Sequence, residues 1–344
     1  MPKSTISGPV FRSRAIVLTF IHQWIVLYSA FVFLFITSCF YQQEFRDNPL
    51  DPLAPSYIPA RTWKLARASG DFSPRSGHAL IVFGNELWML GGYDGTTYRN
   101  DIFRSSDGIA WNMMGNAPFN GRADFGYTVF NGKIWVVGGQ TNGGIAKDVW
   151  CSADGITWVQ PSSSGLPPLR GCAVVPKNGA MWLFAGETNT GMYTNGVWSS
   201  IDGTSATSHG TSISARALFG YALHNDSIWV LCGYNGSYIA DVWKTDTTTT
   251  AQVPAITNAH IAPRSRFNAA SFNGQIIVVG GEIAVSTFTN DVFRSPDGTN
   301  WYLVTNAPFS PRGGYGMAVF KGKLWLIGGQ TNGGGYANDI WYAY

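Results

Sequence analysis

The chain has 344 residues, 23 Lys and Arg against 20 Asp and Glu, 41 glycines, 15% aromatic and only 12% charged residues. Its formal net charge of +3 comes entirely from Lys3, Arg12 and Arg14, so 20 basic and 20 acidic residues balance from residue 39 onward. A neutral body lacks the basic face that nucleic-acid binding requires, which excludes that class of partner.

The first element is a leader. Ala15 to Ser38 carries no formal charge, follows the basic residues and precedes Cys39. It is long enough to span a bilayer, although His22-Gln23 interrupts the apolar run. Ile36-Thr37-Ser38-Cys39 resembles a bacterial lipobox: a branched apolar residue, two small residues, then the cysteine to be lipidated. Residues 1–38 are therefore read first as a lipoprotein signal with Cys39 as the lipidation site. A retained anchor and ordinary cleavage are the other two readings. All three send the rest of the chain out of the cytoplasm, to the cell envelope. Residues 39–60, with Asn48-Pro49, Pro52 and Pro55, read as a flexible tether.

From Arg61 onward the pattern changes. Arg61-Thr62-Trp63-Lys64-Leu65 reads as a lone strand. Six repeats follow, each marked by a diglycine or its relic: Gly91-Gly92, Gly138-Gly139, Ala185-Gly186, Cys232-Gly233, Gly280-Gly281 and Gly328-Gly329. A period of 47 or 48 residues predicts a circular array of small sheets. Each pair ends an apolar run such as Ile134-Trp135-Val136-Val137, which reads as a strand buried on both faces. A tight turn such as Asn131-Gly132 joins it to an earlier strand, since Asn-Gly suits the positive φ of a hairpin turn. A third strand follows, as at Asp148-Val149-Trp150. An Asp-Gly turn then leads to a fourth, as at Asp154-Gly155-Ile156-Thr157-Trp158.

These units resemble kelch repeats, in which a diglycine, a preceding aromatic and a Trp about twenty residues later recur. The resemblance covers residues 61–344 and is identified with the kelch-type, galactose oxidase-like propellers. It implies an all-β fold: a six-bladed β-propeller of four-stranded blades. The third and fourth repeats lack the final Trp, which predicts irregular outer strands there. The chain stops after the third strand of the last repeat. The strand around Trp63 is thus expected to complete that blade, closing the ring without an unpaired end.

An Arg opens the first strand of each blade: Arg75, Arg122, Arg170, Arg216, Arg264 and Arg312. One reading is structural, with guanidiniums bonding backbone carbonyls. The other is a cationic ring at one mouth of the channel. By strand alternation, the residues after the diglycines share that mouth: Tyr93, Gln140, Glu187, Tyr234, Glu282 and Gln330. They vary from blade to blade, as specificity residues on a regular scaffold do. Asp124 and Arg266, two residues beyond their blade's Arg, add charges where other blades carry Gly, Cys or Leu. The candidate ligand-binding set is accordingly Tyr93, Arg122, Asp124, Gln140, Glu187, Arg216, Tyr234, Arg264, Arg266, Glu282, Arg312 and Gln330.

No metal or cofactor motif appears. His78, His209, His224 and His260 lack ligand spacing, and the paired His and Tyr ligands of kelch-type copper oxidases cannot be assembled. Cys151, Cys172 and Cys232 read as packing residues with at most one disulfide. The expected function is that of an extracytoplasmic, membrane-anchored module binding a protein or carbohydrate ligand through one channel face, with no catalytic residue assigned. The alternative is a carbohydrate-active propeller resembling the sialic-acid mutarotases, in which Glu187 or Glu282 serves as acid or base beside an Arg.

Overall fold

The computed structural model describes residues 59–161, 165–211, 213–247, 253–256 and 261–344. The leader, Cys39, the tether up to residue 58 and His260 lie outside the described residues. The propeller forms one compact unit from Pro59 to Tyr344.

Six antiparallel blade sheets follow one another along the chain, and a two-stranded ribbon of Gln140–Thr141 and Gly144–Ile145 adds to blade 2. Blade 1 is made of Ala79–Phe83, Glu86–Tyr93, Tyr98–Ser105 and Asn112–Asn116. Blades 3, 4 and 5 repeat this four-stranded order. In blade 6 the fourth strand comes from the other end of the chain: Trp63–Arg67 pairs antiparallel with Tyr336–Ala343, Trp63 opposite Ala343. The N-terminal strand thus closes the ring, and the edge that blade 6 would otherwise expose is paired. The Ala60 N–H adds a bond to the Tyr344 carbonyl at 3.0 Å.

The outer strands depart from expectation. Blades 3 and 4 keep a fourth strand, Thr207–Thr211 and Val253–Ile256, despite lacking the Trp. Blade 2 keeps Trp158, yet its fourth strand shrinks to a single bridge between Cys151 and Val159. The third strand of blade 2, Val149–Ser152, is also short, but it still covers the positions with which the outer strand of blade 4 pairs.

Packing runs between blades. Six clusters of buried apolar side chains occupy the six blade–blade interfaces. The strand before each diglycine is the centre of this packing, and Leu87, Met89, Ile134, Val136, Leu324 and Leu326 are all essentially inaccessible. Trp residues stitch neighbours together. Trp88 of blade 1 lies against Gly155 of blade 2, and Trp229 of blade 4 against Gly298 of blade 5, where any β-carbon would overlap the indole. Stability of such an array is a sum over blades and nearest-neighbour interfaces.

Candidate functional site

The repeated Arg residues lie inside the blades. Arg75, Arg122, Arg216, Arg264 and Arg312 are fully buried. Each holds an Asp of its own blade through both terminal nitrogens: Asp101, Asp148, Asp241, Asp291 and Asp339. Each also donates to the carbonyl of the residue that opens the diglycine, as Arg122 does to Gly138 at 2.7 Å. The carboxylate, that carbonyl and a loop carbonyl such as that of Asn120 engage each guanidinium within its own blade. The cationic-ring reading of Arg122, Arg216, Arg264 and Arg312 is corrected accordingly: their charge is neutralised within the blade.

Blade 3 breaks the rule in a coordinated way. The N–H of the second diglycine residue of each blade marks the register, donating to a carbonyl of the next blade. Gly92 bonds Arg122, Gly186 bonds Arg216 and Gly329 bonds Arg75, but Gly139 bonds Leu169. Leu169 therefore takes the place of the buried Arg, and Gly196 stands where the Asp is. Charge and countercharge are lost together, so no buried charge is left alone. Arg170 falls one residue further on, opposite Glu187, where the other blades pair Ser76, Ala123, Ala217, Ser265 or Gly313 with the residue after the diglycine. Its Nε and Nη2 donate to Glu187 Oε2 at 2.9 and 2.7 Å. Burial works against the Arg170 charge, but the bond to Glu187 and the field of Asp124 outweigh it and raise its pKa.

One residue further in, the six blades meet. Gly77, Asp124, Gly171, Leu218, Arg266 and Gly314 form a closed circle in which each N–H donates to the carbonyl of the blade before it, at 2.6 to 2.9 Å. All six have positive φ, from 53° to 65°. Glycine adopts that conformation at no steric cost, whereas Asp124, Leu218 and Arg266 hold it against one. The circle lines one side of a cavity of about 80 Å³. His78 borders it, buried, and its pKa is pushed down to about 3 by burial and by Arg75, with the Ile327 carbonyl pulling the other way. Cys172 borders it too, its thiol pushed up to about 12 by burial.

Around the circle stand the residues that follow the diglycines, all half-buried: Tyr93, Gln140, Glu187, Tyr234, Glu282 and Gln330. Strand pairing sets a further aromatic beside most of them: Tyr93 with Tyr98, Glu187 with Tyr193, Tyr234 with Tyr238, Glu282 with Phe288 and Gln330 with Tyr336. Two tyrosine clusters result. Tyr93 packs on Tyr98 at 4.7 Å and on Tyr336 at 6.1 Å between ring centres. Tyr234 packs on Tyr193 at 5.8 Å and on Tyr238 at 5.1 Å. The first belongs to blades 1 and 6 and the second to blades 3 and 4, so they face each other across the six-fold ring. Tyr98, Tyr193, Tyr238 and Tyr336 are missing from the sequence-derived set, although an aromatic four to six residues after the post-diglycine residue was the signal for them.

Charge at this mouth is mixed. Burial first, and then Glu282, pushes the Tyr238 phenol up to about 12. Burial also raises Tyr98 and Tyr336, with Asp124 reinforcing and Arg266 opposing the effect at both. Glu282 Oε1 accepts the Ser286 N–H at 2.9 Å. Asp94 is paired with Arg99. Gln140 Nε2 donates to its neighbour's carbonyl at 2.9 Å.

The opposite face is built differently. There the channel opens as a funnel of about 390 Å³ lined by apolar side chains such as Ile81, Val129, Val174, Leu223 and Ala269. The Asp-Gly turns are on that side and are self-satisfied: Asp154 Oδ1 accepts from Ile156 and Thr157 N–H groups at 2.8 and 2.7 Å. Among the described residues no group of three or more His, Cys, Asp or Glu is placed to hold a metal ion. Cys151, Cys172 and Cys232 are buried free thiols.

Comparison with known proteins agrees with this architecture. The family model for the kelch motif matches residues 121–151, the first three strands of blade 2. No curated protein matches in sequence. The solved structure of YjhT superposes with a TM-score of 0.68 at 14% identity, covering 80% of this chain and 96% of that one. Such a likeness concerns the fold. The chain is a six-bladed β-propeller whose second blade carries a kelch motif.

Proposed function

We propose that the chain is an extracytoplasmic, membrane-anchored propeller that binds a protein or glycan ligand at the mouth formed by the post-diglycine loops. The observation that carries this reading is Arg170. The repeat places a small residue at its position in every other blade, and here a half-buried guanidinium, held by Glu187, stands among Tyr193, Tyr98 and Asp124. Charge and aromatic faces without a repeat role, gathered on one mouth of a regular scaffold, are what a ligand site requires. The opposite funnel offers apolar lining and turns that satisfy themselves. The basic leader, the apolar run and Cys39 support attachment to the envelope. Mass spectrometry of membrane-extracted protein tests the lipid anchor: a diacylglyceryl Cys39 is expected, and an intact Met1 contradicts lipidation.

A second reading is a carbohydrate-active propeller of the mutarotase kind. It is favoured by one observation: a carboxylate, Glu187, lies in direct contact with a guanidinium and close to the Tyr193 phenol, an arrangement suited to moving a proton on a bound sugar. A glycan and organic-acid panel against the full-length chain separates the two. Binding without turnover favours the module. Accelerated anomeric exchange in NMR, lost in Glu187→Gln, favours the enzyme.

A further inference from the structure

Two charges on the inner circle have no counter-ion in contact among the described residues, although the field of Asp124 reaches Arg170. Asp124 makes no ion pair and no side-chain hydrogen bond with the described residues, whereas Asp94 is held by Arg99 and Glu187 by Arg170. Arg266 has a single bond, from Nη2 to Ser76 Oγ at 3.4 Å, and its Nε is buried with nothing to donate to. The two come from blades 2 and 5, on opposite sides of the ring, and converge on neighbouring glycines. Asp124 Oδ1 stands 2.5 Å from where a β-carbon of Gly77 would be, and Arg266 Nη2 stands 3.4 Å from that of Gly314. Gly77 and Gly314 are themselves joined, N–H to carbonyl, at 2.7 Å. The result is a notch floored by two glycines, with an unpaired anion at one end and an unpaired cation at the other, too far apart to form an ion pair with each other. Beside it stands the Tyr93–Tyr98–Tyr336 cluster, on which both charges act.

We propose that this notch takes a small zwitterion of the α-amino-acid class, its carboxylate on Arg266 and its ammonium between Asp124 and the tyrosine faces. The inference rests on the reading of this mouth as the ligand site and names the class of ligand. A simple anion satisfies Arg266 but meets Asp124 as a like charge. A simple cation meets Arg266 in the same way. A neutral sugar leaves both charges desolvated and unpaired, which is unfavourable. Only a ligand carrying both signs completes the set. The aromatic faces add attraction for the ammonium end, and the glycine floor leaves room for the backbone of the ligand.

The test uses the full-length chain and a panel of L-α-amino acids. Each is compared with its amide, which lacks the carboxylate, and with its N-acetyl derivative, which lacks the ammonium. At least one amino acid is expected to bind in calorimetry at millimolar concentration or below, with both capped forms weaker by about tenfold or more, the worth of one charge-assisted bond. Arg266→Gln weakens the amino acid and its N-acetyl form alike. Asp124→Asn weakens the amino acid and tightens the N-acetyl form by removing the like charge, and Asn keeps the left-handed backbone. The proposal is overturned if no amino acid binds, if a capped form binds as tightly as its parent, or if Asp124→Asn leaves the preference unchanged. A sugar or organic acid whose binding depends on Arg170 and Glu187, with no amino acid bound, overturns the zwitterion and leaves the mouth standing. If nothing in either panel depends on any mouth residue, both readings fall.

Discussion

Arg170 pairs with Glu187 across two adjacent strands of blade 3, at 2.7 Å, while the residue just before it, Leu169, fills the buried site where five other blades place an Arg. One blade has thus given up an internal ion pair and gained an external one. The two kinds of pair differ in what they do. The internal Arg–Asp pairs tie the first strand of a blade to its diglycine and its third strand. The external pair ties nothing that the backbone ladder does not already hold.

That contrast yields a stability prediction. Asp291→Ala leaves Arg264 buried without its counter-ion, and breaking a buried pair from one side costs about 3–5 kcal/mol. Arg170→Ala removes a partly exposed charge and costs less than about 1 kcal/mol. Urea denaturation of the two variants measures both. Equal losses show that the buried pairs hold nothing special.

Closure is tested at Trp63. Its ring is buried and meets Phe309 edge-on at 5.2 Å. Trp63→Ala opens a cavity at the seam of blade 6 and is expected to cost about 3–5 kcal/mol. Deleting residues 58–68 goes further and exposes the edge of Tyr336–Ala343, so the deleted chain is expected to aggregate. An unchanged melting temperature after either change shows that the N-terminal strand closes nothing.

His78 gives the propeller a pH dependence of known sign. Its folded-state pKa is depressed to about 3 from an ordinary 6.5. The stability it contributes is therefore fully present above about 6.5 and is lost as pH falls from there towards 3, at up to about 1.4 kcal/mol per pH unit. Phe125, Phe219 and Phe267 occupy the equivalent place in blades 2, 4 and 5, so His78→Phe fits the site. Chemical denaturation between pH 7 and pH 4 should show a flatter stability curve for the variant. Parallel curves for variant and parent contradict the assignment.

The blade number, the closure and the face that carries the variable residues were legible because each follows from a period. A diglycine every 47 or 48 residues counts the blades, and alternation of strand direction assigns the loops to faces. What the period could not give was register within a blade. Pro167-Pro168-Leu169-Arg170 aligns with the other blades by its Arg, yet the bond from Gly139 to Leu169 shows the alignment to be one residue off. The same limit hid the tyrosines. Tyr98, Tyr193, Tyr238 and Tyr336 begin third strands after loops of unequal length, and only strand pairing shows that they stand beside the post-diglycine residues. The role of the repeated Arg residues was open in sequence because the Asp that neutralises each lies 25 to 27 residues away. The thin outer strand of blade 2 was not legible, since Trp158, the residue that marks the outer strand in the repeat, is present.

The measurement that bears most directly on the central claim compares the two faces of the channel. With any ligand found in the panels, affinity is measured for Arg170→Ala, Arg266→Ala and Glu282→Ala on one mouth, and for Asp107→Ala and Asp154→Ala in the turns of the other. The first set is expected to lose affinity by about tenfold or more, the worth of a charge-assisted contact, without loss of fold. The second set is expected to bind as the parent does. Loss of binding in the Asp107 and Asp154 variants, with the Arg170, Arg266 and Glu282 variants unaffected, places the ligand on the opposite face and contradicts the account.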